Sequence, residues 1–311
     1  MAAGSLELEQ RGQVRRLRSL LVTAQGATRS REVLRIDLRA GSGAVGRGEA
    51  APWPAHGTET LAEARGALQR LARSLAGVDE EATAEVELAV AAAGLGPAAR
   101  WAFDTAWGEL CAVRSGLSLA QQWWPGRDVA RELRAGALLT AGDPISAARE
   151  AGRRVDEGTR VLKAKVGSQS LRNDVERVCR VRDRIGPEVE LRLDANAAWN
   201  EDQALAALDA LAAAAPSFVE QPLAPGDRGI ARLCEKAPVP VALDESVAAA
   251  GAPSELVDQG AAVWVLKPAA LGVATFQALA GVAARVGIDV VPSSLLDGPA
   301  SVGATLHLAA G

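Results

Sequence analysis

The chain has 311 residues, 49% of them apolar, enough to bury a large core as one barrel with a smaller domain or as two medium domains. Its net charge of -4 gives no general attraction to nucleic acid or to anionic lipid. Three cysteines, odd in number and far apart, argue against a disulfide framework and suit a reducing cytosol.

All three, Cys111, Cys179 and Cys234, fall in helical apolar patterns, where small core residues are expected. The N-terminus has an acidic pair before its basic cluster and no apolar core of signal-peptide length. No apolar run approaches the ~20 residues that span a membrane, so the expectation is a soluble cytoplasmic protein.

Residues 13–40 alternate as strands do, with QVRRLRSLLVTAQ and EVLRIDLRA joined by GATRSR as the turn. GSGAVG, Gly41 to Gly46, matches the spacing of a dinucleotide-binding loop. It runs into two prolines rather than a helix, so a hairpin turn is expected there. From Thr58, read as a helix cap, TETLAEARGALQRLARSL has helical apolar spacing, and GPAARWAFDTAWGELCAVRSGLS follows as another helix. Strands followed by helices predict an α+β domain over residues 1–130.

A first barrel strand is expected at about 135–139, and a ladder of five short motifs follows. They are VLKAKVG (Val161 to Gly167), LRLDAN (Leu191 to Asn196), SFVEQPL (Ser217 to Leu223), VALDES (Val241 to Ser246) and VWVLKP (Val263 to Pro268). Each is an apolar, β-branched run ending in a charge, as a buried parallel strand reads when its last residue emerges into a site. The intervals from Lys165 to Asp194, Glu220, Asp244 and Lys267 shrink from 29 to 23 residues, and each has room for a loop, a helix and a strand. LRNDVERVCRVRDRI, EDQALAALDALAAAA and ATFQALAGVAARV are the visible helices. The pattern predicts a (β/α) TIM-type barrel over residues 131–311, with five charged groups at its strand C-termini.

Asp194, Glu220 and Asp244 then end three successive strands. Three like charges away from water need a compensating cation, and oxygen ligands with no His or Cys nearby select Mg²⁺, with Mn²⁺ able to substitute. Lys163 and Lys165 precede this trio and Lys267 follows it, so Lys165 and Lys267 should face each other across the metal. A lysine near a divalent cation can act as a base at neutral pH, while the metal stabilises charge developing on a substrate carboxylate. The implied step removes a proton α to a carboxylate of a small-molecule substrate. The bland alternative is that three acids and three lysines pair off and hold strands together.

The ladder K-x-K, D-x-N, E-Q-P, D-E-S, K-P resembles the enolase superfamily in its muconate-lactonizing-enzyme subgroup, from about residue 30 to the end. GRGEAAPWPAHGTETLAEA resembles that family's capping-domain loop, with Arg47 where the family often has Trp. Within the subgroup IDVVPSSLLDGPASVGATLHLAA and Arg192 resemble the o-succinylbenzoate synthase family, a dehydratase family of the menaquinone pathway. The resemblance implies an enolase-like fold, an N-terminal α+β capping domain with a (β/α) barrel. It implies Asp194, Glu220 and Asp244 as Mg²⁺ ligands, Lys165 as acid/base and Lys267 as the cation facing the enediolate. It further implies Lys163, Arg192, Ser293 and Ser294 as substrate-binding residues, with Asn196 and Glu245 as supports. The family's chain continues into an eighth strand and a tail, so the barrel domain is expected to lack its last strand here. Other readings kept open are a dipeptide epimerase or N-acylamino acid racemase, and a non-catalytic barrel serving as a binding module.

Overall fold

The structure is a computed structural model that describes residues 5–23 and 26–311, without the side chains of residues 18–23, 26 and 27. It packs as two compact units. One is Met1–Leu133 with Lys267–Ala278 and Pro292–Gly311, and the other is Arg134–Leu266 with Leu279–Val291.

The first unit opens with the antiparallel strands β1 (Glu7–Thr23), β2 (Gly26–Arg39) and β3 (Val45–Ala50), in that spatial order. GATRSR is not the turn: it lies inside β2, paired Thr23↔Gly26 and Leu21↔Thr28, because its Thr, Arg and Ser satisfy strand alternation as well as a loop does. The intervening residues 24–25, where the reading of the first strand ended, lie outside the described residues, as do residues 1–4. GSGAVG is a hairpin turn, closed by Ala40 N–H to Ala44 O at 2.9 Å, with Gly43 left-handed at φ 91°.

The helices α1 (Leu61–Leu75), α2 (Thr83–Ala93), α3 (Pro97–Ser115) and α4 (Leu119–Trp123) follow. The cap of α1 is Thr60, not Thr58. Thr60 and Glu63 form a reciprocal capping box, a device that contributes about 1 kcal/mol, while Thr58 Oγ1 accepts from Trp53 N–H. Glu59, between them, instead caps α3, its carboxylate accepting from Ala98 and Ala99 N–H at 3.1 and 2.8 Å. Gly46 and Gly48 explain the glycine spacing: a Cβ on either would come within 1.9 Å of a carbonyl oxygen of α3, of Ala106 and Ala102 respectively. Helix α3 therefore lies directly on the bare backbone of β3, and Leu34, Ile36, Leu38, Leu68, Leu71 and Phe103 form the core beside it. Trp123 packs against Trp101 at 5.9 Å, and Trp124 donates to Leu308 O at 3.1 Å, so both tryptophans belong to this unit's own packing.

Most of the ladder is the second unit, while its residues 267–278 and 292–311 belong to the first. Its strands and helices are β4 (Gly136–Leu139), α5 (Pro144–Asp156), β5 (Val161–Lys165), α6 (Leu171–Ile185), β6 (Glu190–Asp194), α7 (Glu201–Leu211), β7 (Phe218–Glu220), α8 (Ile230–Lys236) and β8 (Val241–Leu243). Then come α9 (Glu245–Ala249), α10 (Pro253–Asp258), β9 (Val263–Leu266), α11 (Pro268–Val286), β10 (Asp289–Pro292) and α12 (Pro299–Ala309). The seven strands β4 to β10 lie side by side in chain order, with parallel pairing, as right-handed βα repeats require. Among the described residues β4 and β10 are the two sheet edges. Leu162, Ala164, Leu191, Leu193 and Val219 are fully covered, and the alternate residues on the same strands carry the charges.

Helix α11 corrects the expectation that no apolar run reaches membrane-spanning length. Its 19 residues are long and apolar enough by composition, but Gly272, at φ 74°, breaks its helical geometry one turn in. Val273 N–H, just past the break, donates to Asp104 Oδ2 at 3.1 Å, and Phe276, Leu279 and Ala283 are buried as a core helix's residues are.

Candidate active site

Strand register aligns the charged residues in one row. Lys165 of β5 lies opposite Asp194 of β6, which lies opposite Glu220 of β7, and one step deeper Lys163 lies opposite Arg192 and Arg192 opposite Phe218. Period-2 alternation turns Lys163, Lys165, Arg192, Asp194, Phe218 and Glu220 to the same face. Asp244 is the residue after β8 and Lys267 the residue after β9. The three acids are almost wholly buried, at 2%, 2% and 5% exposure for Asp194, Glu220 and Asp244.

Lys163 is the cation placed among them. Its ammonium lies 2.8 Å from both oxygens of Glu220 and 2.8 Å from Asp194 Oδ2. Burial works against its charge, but Glu220 and Asp194 outweigh it and hold the ammonium above its ordinary value. One lysine does not neutralise the group: burial pushes Glu220 up to about 8, Lys163 opposes this, and Asp194 and Asp244 add to it. Lys165 is more exposed, donates to Asn196 Oδ1 and sits 3.8 Å from Asp194 Oδ2. The Asn196 amide in turn donates to Glu245 Oε1 at 3.5 Å, so the chain Lys165–Asn196–Glu245 is continuous.

The strand ends are held by backbone conformations that side chains rarely adopt. Asn196, Ala197 and Gln221 have φ of 46°, 59° and 41°, a cost that persists only where the surroundings over-determine it. For Gln221 the surroundings are plain. Its side chain is fully buried, its Oε1 accepts from Asp244 and Ser246 N–H at 2.9 and 3.1 Å, and its amide donates to Ser246 Oγ and Leu223 O, both at 2.8 Å. Gln221 thus fixes where Asp244 begins. On the other side Asp174 and Arg177 of α6 hold the end of β5. Asp174 Oδ2 accepts from Gly167 N–H at 2.7 Å, and Arg177 donates to Lys165 O at 2.5 Å and to Asp174 Oδ1 at 2.7 Å. Neither device was anticipated. The Gln of E-Q-P and the Ser of D-E-S were visible in the ladder, whereas Asp174 and Arg177 read as ordinary charges on an amphipathic helix.

Not every expected residue joins the group. Arg192 is a layer deeper, paired to Glu190 at 2.6 Å and stacked 5.2 Å from the Phe218 ring centre, so the structure does not bring it to the strand ends. Lys267 is half-buried at the end of β9. Ser293 and Ser294 follow β10 directly, half-buried and exposed respectively.

Among the described residues no three acids close on one point at metal-ligand spacing. The Lys163 ammonium stands between two of the carboxylates instead, showing that the place selects a cation. Three buried oxygen donors on rigid strand ends, with charge left over after Lys163, fit a hard ion in chemistry.

A parallel sheet of βα repeats with lysines and carboxylates at its strand ends, in a chain that also folds an α+β unit, defines an enolase-type barrel protein. Residues 146–311 match the family described as Enolase C-terminal domain-like, and the chain belongs to that family. Over 157 residues it is 42% identical to an o-succinylbenzoate synthase of Mycobacterium bovis, a stretch that covers 49% of this chain and 46% of that protein. The chain therefore spans about half the length of the curated relatives it matches. Among solved structures it is similar to the L-Ala-D/L-Glu epimerase of Bacillus subtilis, with TM-score 0.87 and 25% identity, covering 98% of this chain and 87% of that one. The dipeptide epimerase of Enterococcus faecalis, solved with Mg and the dipeptide L-Leu-L-Tyr, is equally similar, with TM-score 0.87, 25% identity and the same coverage of 98% and 87%.

Proposed function

We propose that the chain is a Mg²⁺-dependent lyase of the cytoplasm that dehydrates 2-succinyl-6-hydroxy-2,4-cyclohexadiene-1-carboxylate to o-succinylbenzoate in menaquinone biosynthesis. The observation that carries this reading is the row Lys165–Asp194–Glu220 with Lys163 beneath it, which puts an amine beside a buried cation site. The 42% identity to an o-succinylbenzoate synthase supports the dehydration over other reactions of such sites. In this reading residues 1–130 are the capping domain and 131–311 the barrel domain that carries the metal.

Lys165, as the free amine, takes the proton α to the substrate carboxylate. The electron pair left on carbon delocalises into the carboxylate as an enediolate, then forms the new ring double bond as the bond to the hydroxyl breaks. The Lys165 ammonium, on the same face, gives its proton to the departing hydroxide, which leaves as water, and Lys165 returns to the amine. Asn196, backed by Glu245, fixes where that amine points. Asp194, Glu220 and Asp244 would hold Mg²⁺, which supplies electrostatic stabilisation of charge on the substrate carboxylate. Lys267 is assigned to the enediolate's charge as a fixed ammonium, Lys163 to the substrate carboxylate, and Ser293 and Ser294 to the succinyl group.

The test is a spectrophotometric assay of the purified chain with the cyclohexadiene acid and Mg²⁺. Conversion to the aromatic product that EDTA and Lys165→Ala both abolish supports the reading. The solved neighbours favour a second one, a dipeptide epimerase or racemase in which two lysines exchange protons from opposite faces. No dehydration, together with exchange of the α-proton of dipeptides in D₂O, selects it. Neither activity leaves a binding module.

A further inference from the structure

The turn between β10 and α12 is held harder than a linker needs. Leu296 is left-handed at φ 56°, a conformation that costs a non-glycine residue energy unless its surroundings impose it. They do so from two sides. Asp297 Oδ2 accepts from Leu295 N–H at 3.2 Å and from Ser301 Oγ–H at 2.9 Å, and Ser301 Oγ accepts from Trp101 Nε1–H at 2.6 Å. From the first sheet, Glu49 of β3 accepts from Gly298 N–H, and Arg15 of β1 donates to the other Glu49 oxygen at 2.5 Å.

Glu49 is fully buried in this contact, and any side chain at Gly298 would have to displace it, since a Cβ there would lie 2.2 Å from Glu49 Oε1. A buried carboxylate that spends both oxygens on one backbone amide and one guanidinium is a costly way to end a strand, unless the position of the amide matters. Glu49 belongs to the G-x-G-E segment that the sequence singled out and the proposed chemistry leaves without a role. Four residues before Gly298 stands Ser294, and Ser293 precedes it.

We infer that Glu49 and Arg15 are positioning residues, which clamp the turn at Gly298 and thereby fix Ser293 and Ser294 to receive the substrate's hydrogen-bonding tail. This rests on the functional reading above for the roles of the two serines. The clamp acts on binding rather than on proton transfer, because neither residue reaches the reacting atoms through any step assigned to Lys165.

The experiment compares Glu49→Ala and Glu49→Gln in the full chain with Mg²⁺ and the cyclohexadiene acid, alongside hydrogen exchange of the backbone amides. Glutamine keeps an acceptor for Gly298 N–H; alanine does not. Glu49→Ala is expected to raise KM about tenfold with kcat held within about threefold, and Glu49→Gln to recover most of that rise. The Gly298 amide should exchange about a hundredfold faster in Glu49→Ala than in the wild type, with β5 to β8 unchanged. An unchanged KM, a fall in kcat alone, or a Gly298 amide as protected in Glu49→Ala as in the wild type overturns the inference. If Glu49→Ala does not fold, Ser301→Ala, acting on the turn from its other side, must give the same rise in KM, and its absence is equally decisive. A wild type that turns over neither the cyclohexadiene acid nor dipeptides sinks the functional reading, and the exchange rates then judge the clamp separately.

Discussion

The Lys163 ammonium lies 2.8 Å from both oxygens of Glu220 and also contacts Asp194, so one lysine is shared by two carboxylates that the barrel has taken out of water. Removing it leaves those charges buried and repelling one another. Lys163→Ala should lose roughly 3 kcal/mol of stability in EDTA, the scale of a broken buried ion pair, and recover much of it when Mg²⁺ is added. Chemical denaturation with and without the metal measures both halves, and a variant as stable as the wild type in EDTA would overturn the electrostatic account.

Metal binding should be visible without any substrate. At about a hundred times its dissociation constant, Mg²⁺ should add about 2.7 kcal/mol to the wild type. Asp244→Asn, which removes one of the three buried carboxylates and keeps its shape, should respond far less. Thermal unfolding across a Mg²⁺ titration reads the difference.

Lys165→Ala should reduce kcat by about a hundredfold to ten-thousandfold, the range a positioned general base supplies, with a smaller effect on KM. Asn196→Ala leaves the amine present but loses its hydrogen-bond partner, and should cost about tenfold. Steady-state kinetics on both variants separate the base from its support, and equal losses would mean that Asn196 does more than orient.

The Gln221 side chain makes four hydrogen bonds inside the protein and none of them survives truncation. Gln221→Ala should destabilise the chain by about 3 kcal/mol, since buried backbone amides of Asp244 and Ser246 lose their acceptor. Because Asp244 is positioned through it, Mg²⁺ affinity should fall by about tenfold to a hundredfold as well, which calorimetry would show.

The thiols should be slow. Burial raises all three above the ordinary value, Cys234 to about 11, with Asp183 adding at Cys179 and Arg114 opposing at Cys111. At pH 8 a thiol of that kind is ionised to only about one part in a thousand, and the thiolate is the reactive form. A disulfide reagent at pH 8 should label the folded chain slowly, with Cys234 last, and the unfolded chain at once.

The barrel strands, their order and the row of charges at their ends were legible because each strand has to bury two faces and can show a charge only where it emerges. Val161 to Lys165 and Glu190 to Asp194 are read to within two residues for that reason. The support of the site was hidden because its members are polar residues of ordinary appearance, whose role depends on what they touch. Asp174 and Arg177 repeat the i, i+3 charge spacing of any solvated helix, and only the fold turns that face onto Lys165. Arg192 and Lys163 are register partners at one depth on the same face, yet Lys163 reaches the carboxylates while Arg192 pairs with Glu190, and sequence spacing does not distinguish the two. Thr58 and Thr60 compete for the same cap in the sequence, and the choice falls to Thr60 because Trp53 N–H already occupies the hydroxyl of Thr58.

The seam between β3 and α3, where Gly46 and Gly48 meet the carbonyls of Ala106 and Ala102, is backbone against backbone. Most interfaces in a protein core can absorb a changed neighbour by turning a rotamer, but here there is no side chain to turn. Error introduced at either glycine has nowhere to go except into the tilt of the whole helix. A library that randomises the chain should therefore recover almost nothing but glycine at these two positions, while Arg47 between them, which is exposed, accepts many side chains.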